Sequence, residues 1–337
     1  MPPEPQQIAI LGAGSWGTAL AVHLGRVGHD VSLWGRDAAL LDDMIAARAN
    51  RRYLPEIPLP DSVLTTTAMD EALSGAALVI VAVPSHGVRT VLRQAAAFLP
   101  RDAVLVSATK GLEEQSLHRM SQVITDEAGA RRPVVVLSGP TFASEVARGL
   151  PTAVVAASTN ADAASRVQAQ FRSSAFRLYV TDDVAGVEIG GALKNVIAIA
   201  AGAVEGLGLG HNSMAALITR GLAEISRLAH AEGARRDTLA GLSGLGDLVL
   251  TCTGDLSRNR YVGIELGRGR PIREILGGMR MVAEGVRTTF AALALGERHG
   301  IELPIAGEMA AVLEGRRGPR EAVEALMLRP QRPETDH

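Results

Sequence analysis

Ile8-Ala9-Ile10-Leu11-Gly12-Ala13-Gly14-Ser15-Trp16-Gly17 decides how this chain is read. The first four residues are an unbroken apolar run, short enough for a buried strand. A Gly-x-Gly-x-x-Gly turn follows. Behind it Trp16, Leu20, Leu24 and Val27 recur at spacings of four, four and three, which places them on one face of a helix. A bare glycine pattern says little, but in strand–turn–helix order it points to a dinucleotide. Gly12 permits the tight turn, Gly14 lets a pyrophosphate approach the backbone, and Gly17 allows close helix–strand packing. Ser15 and Trp16 open a helix whose free N–H groups and dipole attract phosphate. The plain alternative is a glycine-rich turn with no ligand, yet three glycines so placed cost backbone entropy without an evident structural need.

The next strand, Val31-Ser32-Leu33-Trp34, runs into Gly35-Arg36-Asp37. Sites specific for NAD usually place an acid at the end of this strand to take the ribose hydroxyls. Here a glycine stands there and Arg36 follows, and a guanidinium suits a 2′-phosphate. The sequence therefore favours NADP. Asp37 leaves NAD open, and a solvated surface role competes for Arg36.

Farther out, Leu78–Val83, Val104–Val106 and Val134–Leu137 are continuous apolar runs. Such runs fit parallel strands buried on both faces. With helical patterns between them they predict an α/β Rossmann domain, a doubly wound and mostly parallel sheet, over residues 1–182. From about Asp183 strand signals become scarce. Gly190 to Glu205 reads as a long helix, and Asn212 or Ser213 can cap a second that runs to about His230. Residues 290–299 and 305–313 are also helical in pattern. An all-α substrate-binding and catalytic domain is expected over 183–330, with a disordered polar tail over 331–337.

Composition narrows the function. With 337 residues and 47% apolar content, the chain can build about two domains. A net charge of -2 and 3% aromatics give neither the basic surface nor the stacking platforms of a nucleic-acid binder. Cys252 is the lone cysteine, so no internal disulfide forms. Its apolar neighbours Leu248, Val249 and Leu250 mark it as a small buried hydrophobe. Residues 1–7 lack the pattern of a signal peptide, and no uninterrupted apolar run has the ~18 residues of a membrane span. A cytoplasmic location is expected. The eight histidines show no metal-ligand spacing, and no metal is expected.

Several residues suit chemistry. Lys110 follows a strand directly, where ligands of open parallel sheets gather. Ser138-Gly139-Pro140-Thr141-Phe142-Ala143 also follows a strand and offers N–H groups and the Thr141 hydroxyl. A solvated lysine and an ordinary strand-to-helix turn are the plain alternatives. Lys194 is the most informative residue. It lies in an apolar helix with Gly190, Gly191, Ile197 and Ala198 three and four positions away, so no carboxylate stands at those positions to pair with it. A desolvated lysine has a tunable pKa and suits general acid–base work. A snorkelling lysine is the competing reading. Asp247 can supply its counter-charge, cap a helix, or do both. Ser257-Arg258-Asn259 clusters donors suited to an oxyanion, or forms an exposed polar loop.

The blocks Gly12 to Gly17, SATKGLE (107–113), SGPTFA (138–143), ALKNV (192–196), LITRGL (217–222), GLSGLGD (241–247), SRN (257–259) and EGVRT (284–288) stand in order along nearly the whole chain. Together they resemble the bacterial NAD(P)-dependent glycerol-3-phosphate dehydrogenases. The resemblance implies reversible reduction of dihydroxyacetone phosphate to sn-glycerol 3-phosphate, a phospholipid precursor; the sequence leaves the oligomeric state open, with a homodimer among the arrangements. It implies Lys194 as proton donor and acceptor. It implies substrate contacts from Lys110, Gly139, Thr141, Lys194, Asp247, Ser257, Arg258 and Asn259. Cofactor contacts are implied for Ser15, Trp16, Arg36, Lys110, Ala143, Arg258, Val282 and Glu284, beside Gly12, Gly14 and Gly17. Two other functions compete: a related NADP-dependent dehydrogenase of a 3-hydroxy acid or phosphorylated sugar acid, and a non-catalytic NADP-binding regulator. The SRN cluster and the SATKG block speak against the first. Retention of both Lys110 and Lys194 speaks against the second.

Overall fold

The structure is a computed structural model that describes residues 4–279, 281–331, 333 and 334. It divides into two compact units. Unit 1 comprises residues up to Lys110 and His118–Val184, and unit 2 comprises Gly111–Leu117 and Ala185 onward.

In unit 1 strands and helices alternate. The order is β1 (Gln7–Leu11), α1 (Ser15–Val27), β2 (Asp30–Trp34), α2 (Ala38–Ala47), β3 (Ala49–Asn50), β4 (Leu54–Pro58), β5 (Val63–Thr66), α3 (Met69–Leu73) and β6 (Leu78–Val81). Then come α4 (Val88–Ala95), β7 (Val104–Ser107), α5 (Met120–Ala128), β8 (Val134–Ser138), α6 (Ala143–Arg148), β9 (Thr152–Ala157), α7 (Ala161–Phe171) and β10 (Phe176–Thr181). Eight strands form one sheet in the order β10-β9-β8-β7-β6-β1-β2-β5, and β3 pairs with β4 in a separate ribbon. Every pairing in the large sheet is parallel except β8 with β9, so the sheet is mostly parallel as expected.

Both faces of this sheet are covered. Successive side chains of a strand point to opposite faces. Accordingly Ile8 and Ile10 enter one apolar cluster while Ala9 and Leu11 enter another. The chain leaves β1 for β2 on one side, and β6 pairs on the other. The strand order reverses at β1, and Gly12 follows β1 at that point. A crevice beyond the carboxyl ends of the strands at such a reversal is where open α/β sheets bind ligands.

Unit 2 is helical: α8 (Val184–Gly206), α9 (Gly210–Ala231), α10 (Arg236–Ala240), a π-helical turn Leu242–Gly246, α11 (Asp247–Thr253), α12 (Arg258–Gly267), α13 (Ile272–Gly277), α14 (Glu284–His299), α15 (Pro304–Leu313) and α16 (Pro319–Met327). Gly186 to Val204 are buried without a break, so α8 is the core around which the others pack. Among the described residues α8 alone is long and apolar enough to cross a membrane, and 89% of its most apolar window is buried in this core. A helix apolar all round is what a buried position demands.

Several local expectations are corrected. The first long helix begins at Val184, ahead of Gly190. The second begins at Gly210, with Leu209 rather than Asn212 or Ser213 at its N-cap. Ser213 instead donates its hydroxyl to the Leu209 carbonyl at 3.1 Å, a local bond open to serine inside a helix. The loop Gly111–Leu117 belongs to the helical unit although it lies between two strands in sequence. Leu112 enters the helical core, and Glu114 pairs with Arg287 at 2.9 Å. Of the tail expected to be disordered, residues 332 and 335–337 lie outside the described residues.

Candidate active site

The glycine turn of unit 1 separates into two kinds of glycine. Gly12 has φ +125°, and a Cβ there would stand 2.6 Å from the Ala82 carbonyl oxygen. A Cβ on Gly17 would stand 1.9 Å from the Gly12 oxygen. The fold itself demands both. Gly14 is different: a Cβ there would meet nothing within 4 Å. It is also the N-cap of α1, with no side chain capping that terminus. The open space over Gly14 and the uncapped N–H groups behind it fit a bound pyrophosphate. Ser15 and Trp16 are half-buried in the first turn, and Trp16 packs on the sheet core.

At the end of β2 a Cβ on Gly35 would meet the Ala13 Cβ at 3.0 Å and Leu41 at 3.1 Å. The glycine where an acid is usual is closely packed, and a side chain there would displace Ala13 and Leu41 by a few tenths of an ångström. Asp37, the nearest carboxylate, caps α2 through the Leu40 N–H and pairs with Arg52 at 3.1 Å. Arg36 is exposed and forms no ion pair among the described residues.

Two blocks that are remote in sequence meet at the ends of β7 and β8. Lys110 Nζ donates to the Gly139 carbonyl at 3.0 Å, and the Thr141 hydroxyl donates to the same oxygen at 3.2 Å. Gly139 has φ +144° and lies 3.0 Å, measured from an added Cβ, from the Val154 backbone. Ala143 begins α6. The lysine is thus anchored at the carboxyl edge of the sheet and is no freely solvated loop residue.

In unit 2, Lys194 is 5% exposed and Asp247 fully buried. The ammonium donates to Asp247 Oδ1 and, at 2.8 Å, to Thr251 Oγ1. The Thr251 hydroxyl in turn donates to the Asp247 carbonyl at 2.6 Å. The N-cap of α11 is Gly246, so Asp247 is the first residue inside the helix and serves as counter-ion. Burying a charge is tolerable when it is paired and hydrogen-bonded, and here both conditions hold. The sequence reading missed Thr251. Its signal is the spacing of four from Asp247, which puts both on one helix face. Cys252, in the same helix, is fully buried, and burial pushes its thiol up to about 12. It is no nucleophile.

The SRN cluster lies at the start of α12. Ser257 is its N-cap and accepts from the Arg260 N–H at 3.2 Å. Arg258 is exposed by area. Crowded surroundings still pull its guanidinium below the ordinary arginine range while the Glu284 carboxylate pushes it back up, and it stays charged. Asn259 is buried, and its amide bonds to Asn195 and to the Gly285 N–H. Glu284 opens α14 and is half-buried; Val282 just before it is exposed.

The chain matches two family models: the NAD-dependent glycerol-3-phosphate dehydrogenase N-terminus over residues 7–164, and the C-terminus of the same family over residues 183–324. It is 53% identical over 328 residues to glycerol-3-phosphate dehydrogenase [NAD(P)+] of Koribacter versatilis, covering 96% of this chain and 97% of that protein. It is 52% identical over 336 residues to the same enzyme of Acidobacterium capsulatum, covering 97% and 99%. The crystal structure of glycerol-3-phosphate dehydrogenase from Coxiella burnetii superposes with a TM-score of 0.94 at 40% identity, covering 97% of this chain and all of that one. With both halves matched and half the residues shared with its relatives, the chain belongs to the NAD(P)-dependent glycerol-3-phosphate dehydrogenase family.

Proposed function

We propose that this chain catalyses the reversible NAD(P)H-dependent reduction of dihydroxyacetone phosphate to sn-glycerol 3-phosphate, a phospholipid precursor, as a cytoplasmic homodimer. The buried Lys194–Asp247–Thr251 arrangement, in a chain of this family, carries the reading. When bound, the reduced nicotinamide supplies the hydride to the ketone carbon. As that carbon is reduced, negative charge grows on the carbonyl oxygen. Lys194 stabilises this charge and passes its proton to the oxygen; in the reverse direction it takes the proton back. Asp247 keeps the ammonium charged in an apolar interior, and Thr251 fixes its direction. The turn at Gly12, Gly14, Ser15, Trp16 and Gly17 holds the dinucleotide. Ala143, Val282 and Glu284 complete its contacts. Lys110, with Gly139 and Thr141, orients the substrate. Arg258 anchors the substrate phosphate, helped by Ser257 and Asn259.

NADPH is the favoured reductant in this proposal. A side chain at position 35 would press on Ala13 and Leu41, Asp37 is occupied by Leu40 and Arg52, and Arg36 has no ion pair among the described residues. The test mixes the protein with dihydroxyacetone phosphate and either NADPH or NADH and follows loss of reduced-nicotinamide absorbance. Turnover with NADPH is expected, and Arg36→Ala is expected to weaken NADPH binding about tenfold more than NADH binding, the worth of one charge-assisted hydrogen bond. No oxidation of either cofactor removes the proposed reaction. Equal losses in the variant remove the 2′-phosphate role.

A further inference from the structure

The turn after β1 is held from behind by an asparagine 37 residues away in sequence. Asn50, on β3 of the small ribbon, is fully buried. Its Nδ2 donates to the Ala13 carbonyl at 3.0 Å and to Thr18 Oγ1 at 2.8 Å. Its Oδ1 accepts the Tyr53 N–H at 3.1 Å. The amide fits only one way round. A carbonyl oxygen can only accept and a backbone N–H can only donate, so the nitrogen faces Ala13 and the oxygen faces Tyr53. Thr18 is fully buried as well, and an unmade bond there would be costly. The ribbon that carries Asn50 is itself fixed, since Leu54, Ile57 and Leu59 enter the apolar core with Ile8 and Leu20.

Ala13 stands between the first two glycines of the turn. Its peptide bond to Gly14 is trans, so the Ala13 carbonyl and the Gly14 N–H point opposite ways. With the oxygen drawn in to Asn50, the N–H is turned to the other side. Gly14 holds φ −78° here. A glycine accepts φ of either sign, so its own backbone does not stop this peptide from turning over. A peptide turned over would present a carbonyl oxygen, and not an N–H, to an incoming phosphate. The Asn50 bond selects between the two.

We infer that Asn50 is a positioning residue for the dinucleotide: by holding the Ala13 carbonyl it keeps the Gly14 N–H aimed at the pyrophosphate. The inference rests on the proposed seating of the dinucleotide over the turn at Gly12–Gly17. Loss of Asn50 then falls on every ligand that carries this pyrophosphate, with or without a 2′-phosphate and with or without the nicotinamide. A hydrogen bond to a charged oxygen is worth on the order of 10- to 100-fold in affinity.

The experiment titrates Asn50→Ala, Thr18→Val, Gly14→Ala and the unaltered chain with NADPH, NADH and ADP-ribose by calorimetry, and reads melting temperatures in parallel. ADP-ribose keeps the pyrophosphate and lacks the nicotinamide. Asn50→Ala is expected to weaken all three ligands by a similar factor, on the order of 10- to 100-fold, with kcat at saturating NADPH near wild type. Thr18→Val removes the other acceptor of the same amide and spares Ala13. It is expected to lower the melting temperature and to leave the three affinities near wild type. A lowered melting temperature with unchanged affinities in Asn50→Ala overturns the inference, for Asn50 then only ties the ribbon to α1. Equal weakening in Thr18→Val overturns it by placing the effect in the seating of the helix. A loss confined to NADPH overturns it by moving the effect to the 2′-phosphate. If Asn50→Ala fails to fold, Asn50→Ser takes its place: a serine hydroxyl still accepts the N–H three residues on but is too short to reach Ala13, and the three affinities decide. Gly14→Ala keeps the premise separate: normal affinity there removes the dinucleotide from this turn, whatever Asn50→Ala does.

Discussion

The glycines of the two units answer different demands. In unit 1, a Cβ on Gly14 would meet nothing within 4 Å, so the space beside it is open. In unit 2, Gly202, Gly206, Gly263 and Gly267 all lie against the facing helix, with added Cβ atoms 2.0, 2.3, 1.9 and 2.7 Å from backbone oxygens. At Gly14 the backbone lies open, whereas along the seam of α8 and α12 backbone closes on backbone. The difference teaches where function can be separated from stability. On the proposed reading, the dinucleotide lies over a glycine, Gly14, whose missing side chain the fold does not need. The proposed proton donor, Lys194, is on a buried helix, so on that reading chemistry and folding share the same atoms.

Lys194→Ala tests that difference most severely. Turnover is expected to fall ~100- to 10,000-fold, the range of a lost general acid, while the NADPH dissociation constant stays near wild type because the proposed dinucleotide turn is in unit 1. Stability is also expected to fall by about 3–5 kcal/mol, since the buried Asp247 carboxylate loses the Lys194 ammonium that offsets its charge. Lys194→Ala with Asp247→Asn should recover much of that stability in thermal unfolding and none of the turnover. Recovery of turnover would make the pair structural and end the separation drawn here.

The glycines give a smaller effect of opposite kind in each unit. Gly202→Ala or Gly263→Ala forces a methyl group into a carbonyl and is expected to cost at least the ~1–3 kcal/mol of an overpacked core. Gly14→Ala adds a methyl group to open space at a helix N-cap. It is expected to leave the melting temperature nearly unchanged and to weaken NADPH binding in titration. A Gly14 variant that loses stability but binds normally would reverse the comparison.

Legibility in the sequence followed the same division. The turn at Gly12–Gly17 was readable because strand, turn and helix are contiguous in the chain and the three glycines stand at a fixed spacing between them. The apolar strands β1, β2, β6, β7 and β8 stood out as unbroken runs. The outer strands did not: β9 is rich in alanine, and β10 alternates buried and exposed residues at the edge of the sheet. Lys194 drew notice because no partner stood near it on its own helix, and Asp247 could be offered as counter-ion. Thr251 and Asn195 were passed over. Their significance arises only when α11 and α12 come against α8, a tertiary fact that local periodicity does not encode. The excursion of Gly111–Leu117 into the helical core was hidden for the same reason.

The smallest expected effect is in overall stability against pH, because the two units respond in opposite directions. His23 in α1 is packed against the Phe176 ring at 4.5 Å and donates from Nε2 to the Phe171 carbonyl at 2.8 Å. Burial lowers its pKa to about 4; His29 and Arg26 push the same way, and the Phe171 carbonyl opposes. Glu224 in α9 accepts the Ile305 and Ala306 N–H groups at 2.8 and 2.9 Å and so caps α15. Burial raises its pKa to about 7 against those two bonds and the charges of Arg227 and Arg329. A histidine neutral in the fold takes up its proton more readily when unfolded, so unit 1 loses stability as pH falls from 6.5 toward 4. A carboxyl protonated more readily in the fold does the reverse, so unit 2 loses stability as pH rises from 4.5 through 7. At about 1.4 kcal/mol per unit of pKa, each contribution is on the order of 3 kcal/mol across its window. Between pH 7 and pH 5 the two nearly offset in a denaturant midpoint. Amide hydrogen exchange, corrected for its intrinsic pH dependence, reads them apart. On acidification α1 is expected to lose protection while α9 and α15 gain it. His23→Gln should flatten the first trend alone and Glu224→Gln the second alone. If both regions instead move together, and each substitution flattens both, the chain opens as one cooperative body, and stability cannot be assigned to the units separately.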